Sequence, residues 1–163
     1  LSKQSLNELE FWQQRWVNHD TPWDLRGYHK YLPDLYQHLC AIRPALFQTP
    51  HQAFVPACGT AHDAAALAQR GISVVAEDIV PEAIEAASKL YAQQSGVRLR
   101  VGDSLITPPE EENHYDLIYD RAALCAMQPP LRQPFIDSCM SKLKPGGLFS
   151  SILFGDIREP HPP

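Results

Sequence analysis

Five short apolar runs punctuate the chain: Ala53 to Val55, Ser73 to Ala76, Val97 to Val101, Tyr115 to Tyr119 and Leu148 to Phe154. Between them apolar positions recur at helical spacing, so the predicted architecture is a doubly wound α/β domain with right-handed crossovers. The N-terminal segment reads as helical. Leu9, Trp12 and Trp16 recur at i, i+3 and i+7, and Ser5 with Glu8 has the spacing of a capping box. Asp20-Thr21-Pro22-Trp23-Asp24 is turn chemistry. Tyr31, Leu32, Leu35, Tyr36 and Leu39 form the stripe of a second helix, ended by the loop from Pro44 to Pro50. After the first strand, Ala61 to Gln69 is a helix that Gly71 stops at its C-terminal cap. Pro81 opens the next, which runs through Ile84, Ala87 and Leu90 to a stop at Gly96. Glu110 to His114 reads as a solvated charged loop. Leu131 to Leu143 is a helix with Phe135, Ile136, Cys139 and Leu143 inward, and Lys144-Pro145-Gly146-Gly147 turns into the last strand. The tail Pro160-His161-Pro162-Pro163 is incompatible with regular structure.

The first strand breaks at Pro56-Ala57-Cys58-Gly59-Thr60-Ala61-His62-Asp63, and the second run ends in Glu77-Asp78. Strand, turn, helix and strand ending in an acid is the outline of a nucleotide-binding βαβ unit, with the acid roughly 20 residues on, where it reaches a ribose hydroxyl. The dinucleotide fingerprint is broken, because only Gly59 remains where a pyrophosphate needs several glycines. A ligand with a ribose and no phosphate suits that loop, and S-adenosyl-L-methionine is such a ligand. Glu77 and Asp78 compete as the terminal acid, since adjacent strand residues face opposite ways. Asp63 falls in the first turn of its helix, where the dipole stabilises a carboxylate. Gly102-Asp103-Ser104 is a polar turn at the carboxyl end of the third strand, where open α/β sheets bind ligands. The tryptophans at 12, 16 and 23 are either core anchors or an aromatic lid over a cation.

At 163 residues the expectation is a single domain. A net charge of −5 disfavours nucleic acid and anionic membrane as partners and favours small-molecule chemistry. No apolar run is long enough to cross a bilayer, and Leu1-Ser2-Lys3-Gln4 lacks the pattern of a secretory signal, so a cytosolic location is expected. Cys40, Cys58, Cys125 and Cys139 are widely spaced without a CxxC pair, which points to reduced thiols rather than disulfides or a zinc site, and no metal is expected.

Several blocks, taken together, resemble the class I S-adenosylmethionine-dependent methyltransferases, within them the branch of thiopurine S-methyltransferases and methyl halide or thiol methyltransferases. They are Phe11-Trp12-Gln13-Gln14-Arg15-Trp16, Thr21-Pro22-Trp23-Asp24, Val55-Pro56-Ala57-Cys58-Gly59, Val74-Val75-Ala76-Glu77-Asp78-Ile79, Asp116 to Leu124, and Leu143-Lys144-Pro145-Gly146-Gly147. The resemblance implies a Rossmann-like sheet of order 3-2-1-4-5 and methyl transfer to a small soft nucleophile such as a thiol, thiopurine, halide or chalcogen, leaving S-adenosyl-L-homocysteine. It implies that Trp12, Trp16 and Trp23 close over the methionine end of the cofactor, that Gly59 lies beside that moiety with Cys58, and that Asp78, followed by Ile79, holds the ribose. Asp103 and Ser104 border the adenine. Asp63 joins the candidate cofactor contacts. Arg121 lies beside cofactor and acceptor, and Arg121 with Asp120 is the candidate catalytic pair. An arginine at 121 matches the thiopurine side and Thr21-Pro22-Trp23-Asp24 the halide side.

Residues 1–45 are expected to form a helical lid on a domain spanning 1–163. Relatives continue beyond the stretch matching Phe154, so strands six and seven are expected to be missing, leaving the fifth strand as an apolar edge open to self-association. Two other classes are an inactive S-adenosylmethionine-binding sensor or assembly module and a nucleotide-dependent oxidoreductase, the latter disfavoured by the missing glycines.

Overall fold

A computed structural model describes residues 3–48 and 51–154. The Pro160 to Pro163 tail and the side chain of Ser5 lie outside the described residues. The chain begins with α1 (Lys3–Val17) and α2 (Leu32–Ile42), followed by a 3-10 turn at Pro44–Phe47. The sheet unit then runs β1 (Gln52–Val55), α3 (His62–Ala68), β2 (Ser73–Asp78), α4 (Pro81–Tyr91), β3 (Val97–Val101), a 3-10 turn at Pro109–Glu111 and β4 (Tyr115–Arg121). It ends with α5 (Ala123–Ala126), α6 (Pro129–Lys142) and β5 (Leu143–Ile152). The five strands pair in parallel in the order β3-β2-β1-β4-β5, the predicted doubly wound α/β sheet.

Both faces of the sheet are covered, which is why its central strands read as continuous apolar runs. On one face Val55, Val74, Ala76, Leu117 and Tyr119 pack with Leu67 of α3, Leu32 and Leu39 of α2 and Ala87 of α4. On the other, Phe54, Val75, Tyr115 and Ile118 pack with Phe135 and Cys139 of α6. From Asp63 to Ala68 α3 is entirely buried, and its alanines let the helix lie close on the strands. Gly71 has φ +86, the left-handed stop expected of it. The four cysteines are free thiols. No helix among the described residues is long and apolar enough to cross a membrane.

Several expectations change. Because α1 starts at Lys3, Ser5 lies inside its first turn, and Glu8 accepts from Trp12 Nε1 at 2.9 Å instead of returning to a cap. The inward face of α4 is Ala83, Ile84, Ala87 and Tyr91, while Leu90 is 57% exposed. Starting that face at Ala83 rather than Ile84 rotates Leu90 into solvent. The segment Glu110 to His114 is not uniformly solvated, because Glu111 is only 4% exposed and pairs with Arg100. A prolyl pair at 129 and 130 starts α6 earlier than Leu131, since its first turn needs no N–H. The fifth strand begins at Leu143, with a register shift against β4 where the sequence predicts a turn over Lys144 to Gly147. Leu153 and Phe154, just beyond β5, are more than half exposed.

Candidate functional site

The carboxyl ends of β1, β2, β3 and β4 open onto a cavity of about 210 Å³. Ala57, Cys58, Gly59 and Thr60 wall it after β1, Asp78 and Ile79 after β2, Asp103, Ser104 and Leu105 after β3, and Arg121, Ala122 and Ala123 after β4. Ala126, Met127, Leu131 and Phe154 add an apolar side, and Glu8, Trp12, Trp16, Trp23 and Asp24 form the roof.

The loop after β1 gets its shape from alternate left-handed residues, with φ +44 at Ala57, +54 at Gly59 and +58 at Ala61. Alanines in that region cost about 1–3 kcal/mol each, a strain typical of ligand-binding turns. The winding lets Cys58 N donate to the Glu77 carbonyl at 2.9 Å and Gly59 N donate to Asp78 Oδ2 at 2.9 Å. Val80 N donates to Asp78 Oδ1 at 2.9 Å. Burial pushes the Asp78 carboxyl up to about 6, even though these hydrogen bonds favour its ionised form. Of the two acids that spacing leaves open, Asp78, the one the resemblance points to, lines the cavity, while Glu77 accepts from Ser104 Oγ at 2.9 Å and from Arg100 Nε at 2.6 Å. Cys58 donates to the Gly59 carbonyl at 3.6 Å, and burial holds its thiol well above the ordinary range, so it is an unreactive wall.

Asp103 forms a tight turn in which Oδ1 accepts from Leu105 N at 3.0 Å. Its Oδ2 is buried without a hydrogen-bond partner. A buried acceptor left open in a cavity wall is suited to a donor from a ligand.

The three indoles belong to the roof and not to either core cluster. Trp12 and Trp23 meet edge to face at 5.2 Å, Trp16 and Trp23 at 6.4 Å, and the Arg15 guanidinium lies 5.1 Å over Trp23. Gln13 Nε2 donates to Glu82 Oε1 at 2.7 Å and ties α1 to α4.

Arg121 lines the cavity with its side chain fixed at two points. Its Nε donates to Asp63 Oδ2 at 2.5 Å and its Nη1 to the Trp23 carbonyl at 3.2 Å. Asp63 also accepts from His29 N at 2.6 Å. Asp63 therefore anchors Arg121 and the segment entering α2, and it does not line the cavity, contrary to its expected place among the cofactor contacts. Asp120 is likewise displaced from the expected catalytic pair. It is fully buried away from the cavity, accepting from Ala123 N at 2.9 Å and Ser151 Oγ at 2.6 Å, because successive strand residues face opposite sides. Burial raises its carboxyl, against the pull of the Ser151 hydrogen bond.

The remaining expected positions, Trp12, Trp16, Trp23, Cys58, Gly59, Asp78, Ile79, Asp103, Ser104 and Arg121, converge on the one cavity. The sequence reading missed Glu8, Leu105 and the apolar side. Met127 and Leu131 stand at i and i+4, a signal that was present, but Glu8 was absorbed into a capping box. Among the described residues no group of three or more His, Cys, Asp and Glu side chains is arranged to hold a metal ion.

A model of the family described as Thiopurine S-methyltransferase (TPMT) matches residues 7–160. A thiopurine S-methyltransferase of Aliivibrio fischeri is 34% identical over 159 residues, covering 86% of this chain and 68% of that protein. A probable thiol methyltransferase 2 of Arabidopsis thaliana is 31% identical over 164 residues, covering 98% of this chain and 68% of its own length. Among solved structures, one from work on the conversion of a disulfide bond into a thioacetal group during echinomycin biosynthesis superposes with a TM-score of 0.72 at 20% identity. It covers 87% of this chain, which spans only 58% of that structure, and the likeness is one of fold.

Proposed function

Because the chain belongs to the thiopurine S-methyltransferase family, we propose that its cavity binds S-adenosyl-L-methionine and that the methyl group passes to a small soft nucleophile, a thiol, thiopurine, halide or chalcogen. The observation that carries this reading is the meeting of two acidic side chains, Asp78 and Asp103, in one cavity roofed by three indoles. The residues fit the cofactor. Asp78 accepts only from backbone N–H groups and keeps lone pairs for ribose hydroxyls. The open Oδ2 of Asp103 suits the amino group of an adenine. Indole faces favour a sulfonium by about 0.5–2 kcal/mol.

When bound, the cofactor supplies a methyl group on a positively charged sulfur, open to in-line displacement. The chain's own residues then act by position. Trp12, Trp16 and Trp23 exclude water from the reacting centre, which strengthens the electrostatic contacts inside. Arg121, fixed by Asp63 and the Trp23 carbonyl, presents a permanent positive charge that favours the thiolate form of an acceptor whose free pKa is about 8.5. No group is required to take a proton from an acceptor that arrives as an anion. A cytosolic setting with reduced thiols accompanies this reading and is supported by the four free cysteines.

The test is methyl transfer from labelled S-adenosyl-L-methionine to a thiopurine, an aliphatic thiol, a selenol and iodide, with an amine and an alcohol as controls. Labelled product is expected from at least one soft nucleophile and from neither control. Tight binding of S-adenosyl-L-homocysteine without transfer to any of them would overturn the transferase and leave a binding module.

A further inference from the structure

Lys142, the last residue of α6, lies beneath the loop that carries Asp103 and is fully buried. Its ammonium donates to the Ile106 carbonyl at 2.6 Å, to Ser138 Oγ at 2.7 Å and, at the limit of 3.5 Å, to the Ser104 carbonyl. It stands 5.0 Å over the ring of Phe54. Among the described residues no carboxylate is within ion-pairing distance of it. Burial lowers its pKa. Glu77, Cys139 and Glu111 oppose that effect, and Arg100 adds to it. An ammonium without an adjacent counter-ion is expensive to bury, so its protons must find well-placed oxygens.

The two carbonyls it holds flank Leu105, in the loop whose residues 103, 104 and 105 line the cavity. Two further ties secure the same loop from below. Thr107 Oγ1 donates to the Ser138 carbonyl at 3.1 Å, and Ser104 Oγ donates to Glu77 Oε1 at 2.9 Å. The backbone of the loop is thus fixed by groups outside the cavity, while Asp103 keeps one buried oxygen without a partner.

We propose that Lys142 is a positioning residue for the base of the cofactor: by holding the Ser104 and Ile106 carbonyls it sets the Asp103 carboxylate where an exocyclic amino group donates to Oδ2. The inference rests on the cavity being an S-adenosyl site.

Calorimetry with two ligands tests it, S-adenosyl-L-homocysteine and its 6-oxo counterpart S-inosyl-L-homocysteine, on the full chain and on Lys142→Met, Asp103→Ala and the double variant. Lys142→Gln replaces Lys142→Met if circular dichroism shows the latter unfolded. Loss of one charge-assisted positioning contact is expected to weaken the adenosyl ligand roughly tenfold. The inosyl ligand, which lacks the amino donor, should change by less than about twofold, and the lysine substitution should have no further effect once Asp103 is gone. A merely structural lysine would weaken both ligands equally, and that result, or unchanged adenosyl affinity in a folded variant, overturns the proposal. If the unsubstituted chain fails to bind S-adenosyl-L-homocysteine, the functional reading falls and this inference with it.

Discussion

Asp78 reaches the cavity with each carboxylate oxygen already accepting one backbone N–H, and still burial pushes its carboxyl up to about 6. Under the proposed function ribose hydroxyls donate to the ionised form, so binding would have to displace the proton wherever it is still present. The sign follows: affinity rises with pH until Asp78 is ionised and is flat above. S-adenosyl-L-homocysteine should therefore bind with constant affinity at neutral pH and above. Below about pH 6 affinity should fall by up to roughly tenfold per unit, followed by calorimetry across that range. Asp78→Asn should remove the dependence and weaken binding by roughly ten- to a hundredfold, the worth of hydrogen bonds to a charged acceptor. Arg121 shows why identity and role separate at this scale. The sequence singled out the arginine, but its partner is Asp63, a residue far away in the chain, rather than its neighbour Asp120.

At the scale of elements, the end of β2 and the loop after β3 hold each other. Glu77 points to the face opposite Asp78 and is gripped by Arg100 and Ser104. Arg100 in turn forks onto Glu111, whose Oε2 accepts from Nη2 at 2.8 Å. Burial would raise Glu111, but the Arg100 and Tyr115 hydrogen bonds outweigh it and keep the carboxyl below its ordinary value. Gly102 lies against this network, and a Cβ built there would stand 2.7 Å from Glu77 Cδ. Because Glu77 is fixed by its partners, it cannot yield. Gly102→Ala should lower stability by about 1–3 kcal/mol in urea unfolding, the range for overpacking a tight site. Glu110 to His114 is polar enough to pass for a solvated loop, and Arg98 and Arg100, brought alongside by β3, reveal Glu111 as a buried ion-pair partner.

In the whole molecule the three tryptophans lie within one short N-terminal stretch, so intrinsic fluorescence reports the roof and circular dichroism reports the sheet and its helices. Among the described residues the roof is joined to the α/β unit by few polar ties, Gln13 to Glu82, Arg121 to the Trp23 carbonyl and Asp24 to His62. Segments held by few contacts open below the global unfolding free energy. In urea the tryptophan transition is expected at lower denaturant than the dichroic one, and saturating S-adenosyl-L-homocysteine should bring the two together. Coincident transitions without ligand would show that the roof and the sheet unfold as one.

Periodicity and punctuation in the sequence determined the alternation of strands and helices and with it the α/β class, because these depend on neighbours a few positions away; the strand order and most of the cavity residues were implied instead by the blocks that resemble the methyltransferase family. The stop at Gly71 and the cavity-lining turn after Val55 were legible for that reason. Spacing could not choose between Glu77 and Asp78 and the resemblance pointed to Asp78, which lines the cavity; tertiary structure alone decided that Asp63 serves Arg121. It also decided that Glu8 joins the roof and that Lys142 lies under the Asp103 loop. Those choices turn on the direction of a side chain and on contacts between residues distant in the chain, and spacing along a sequence carries neither.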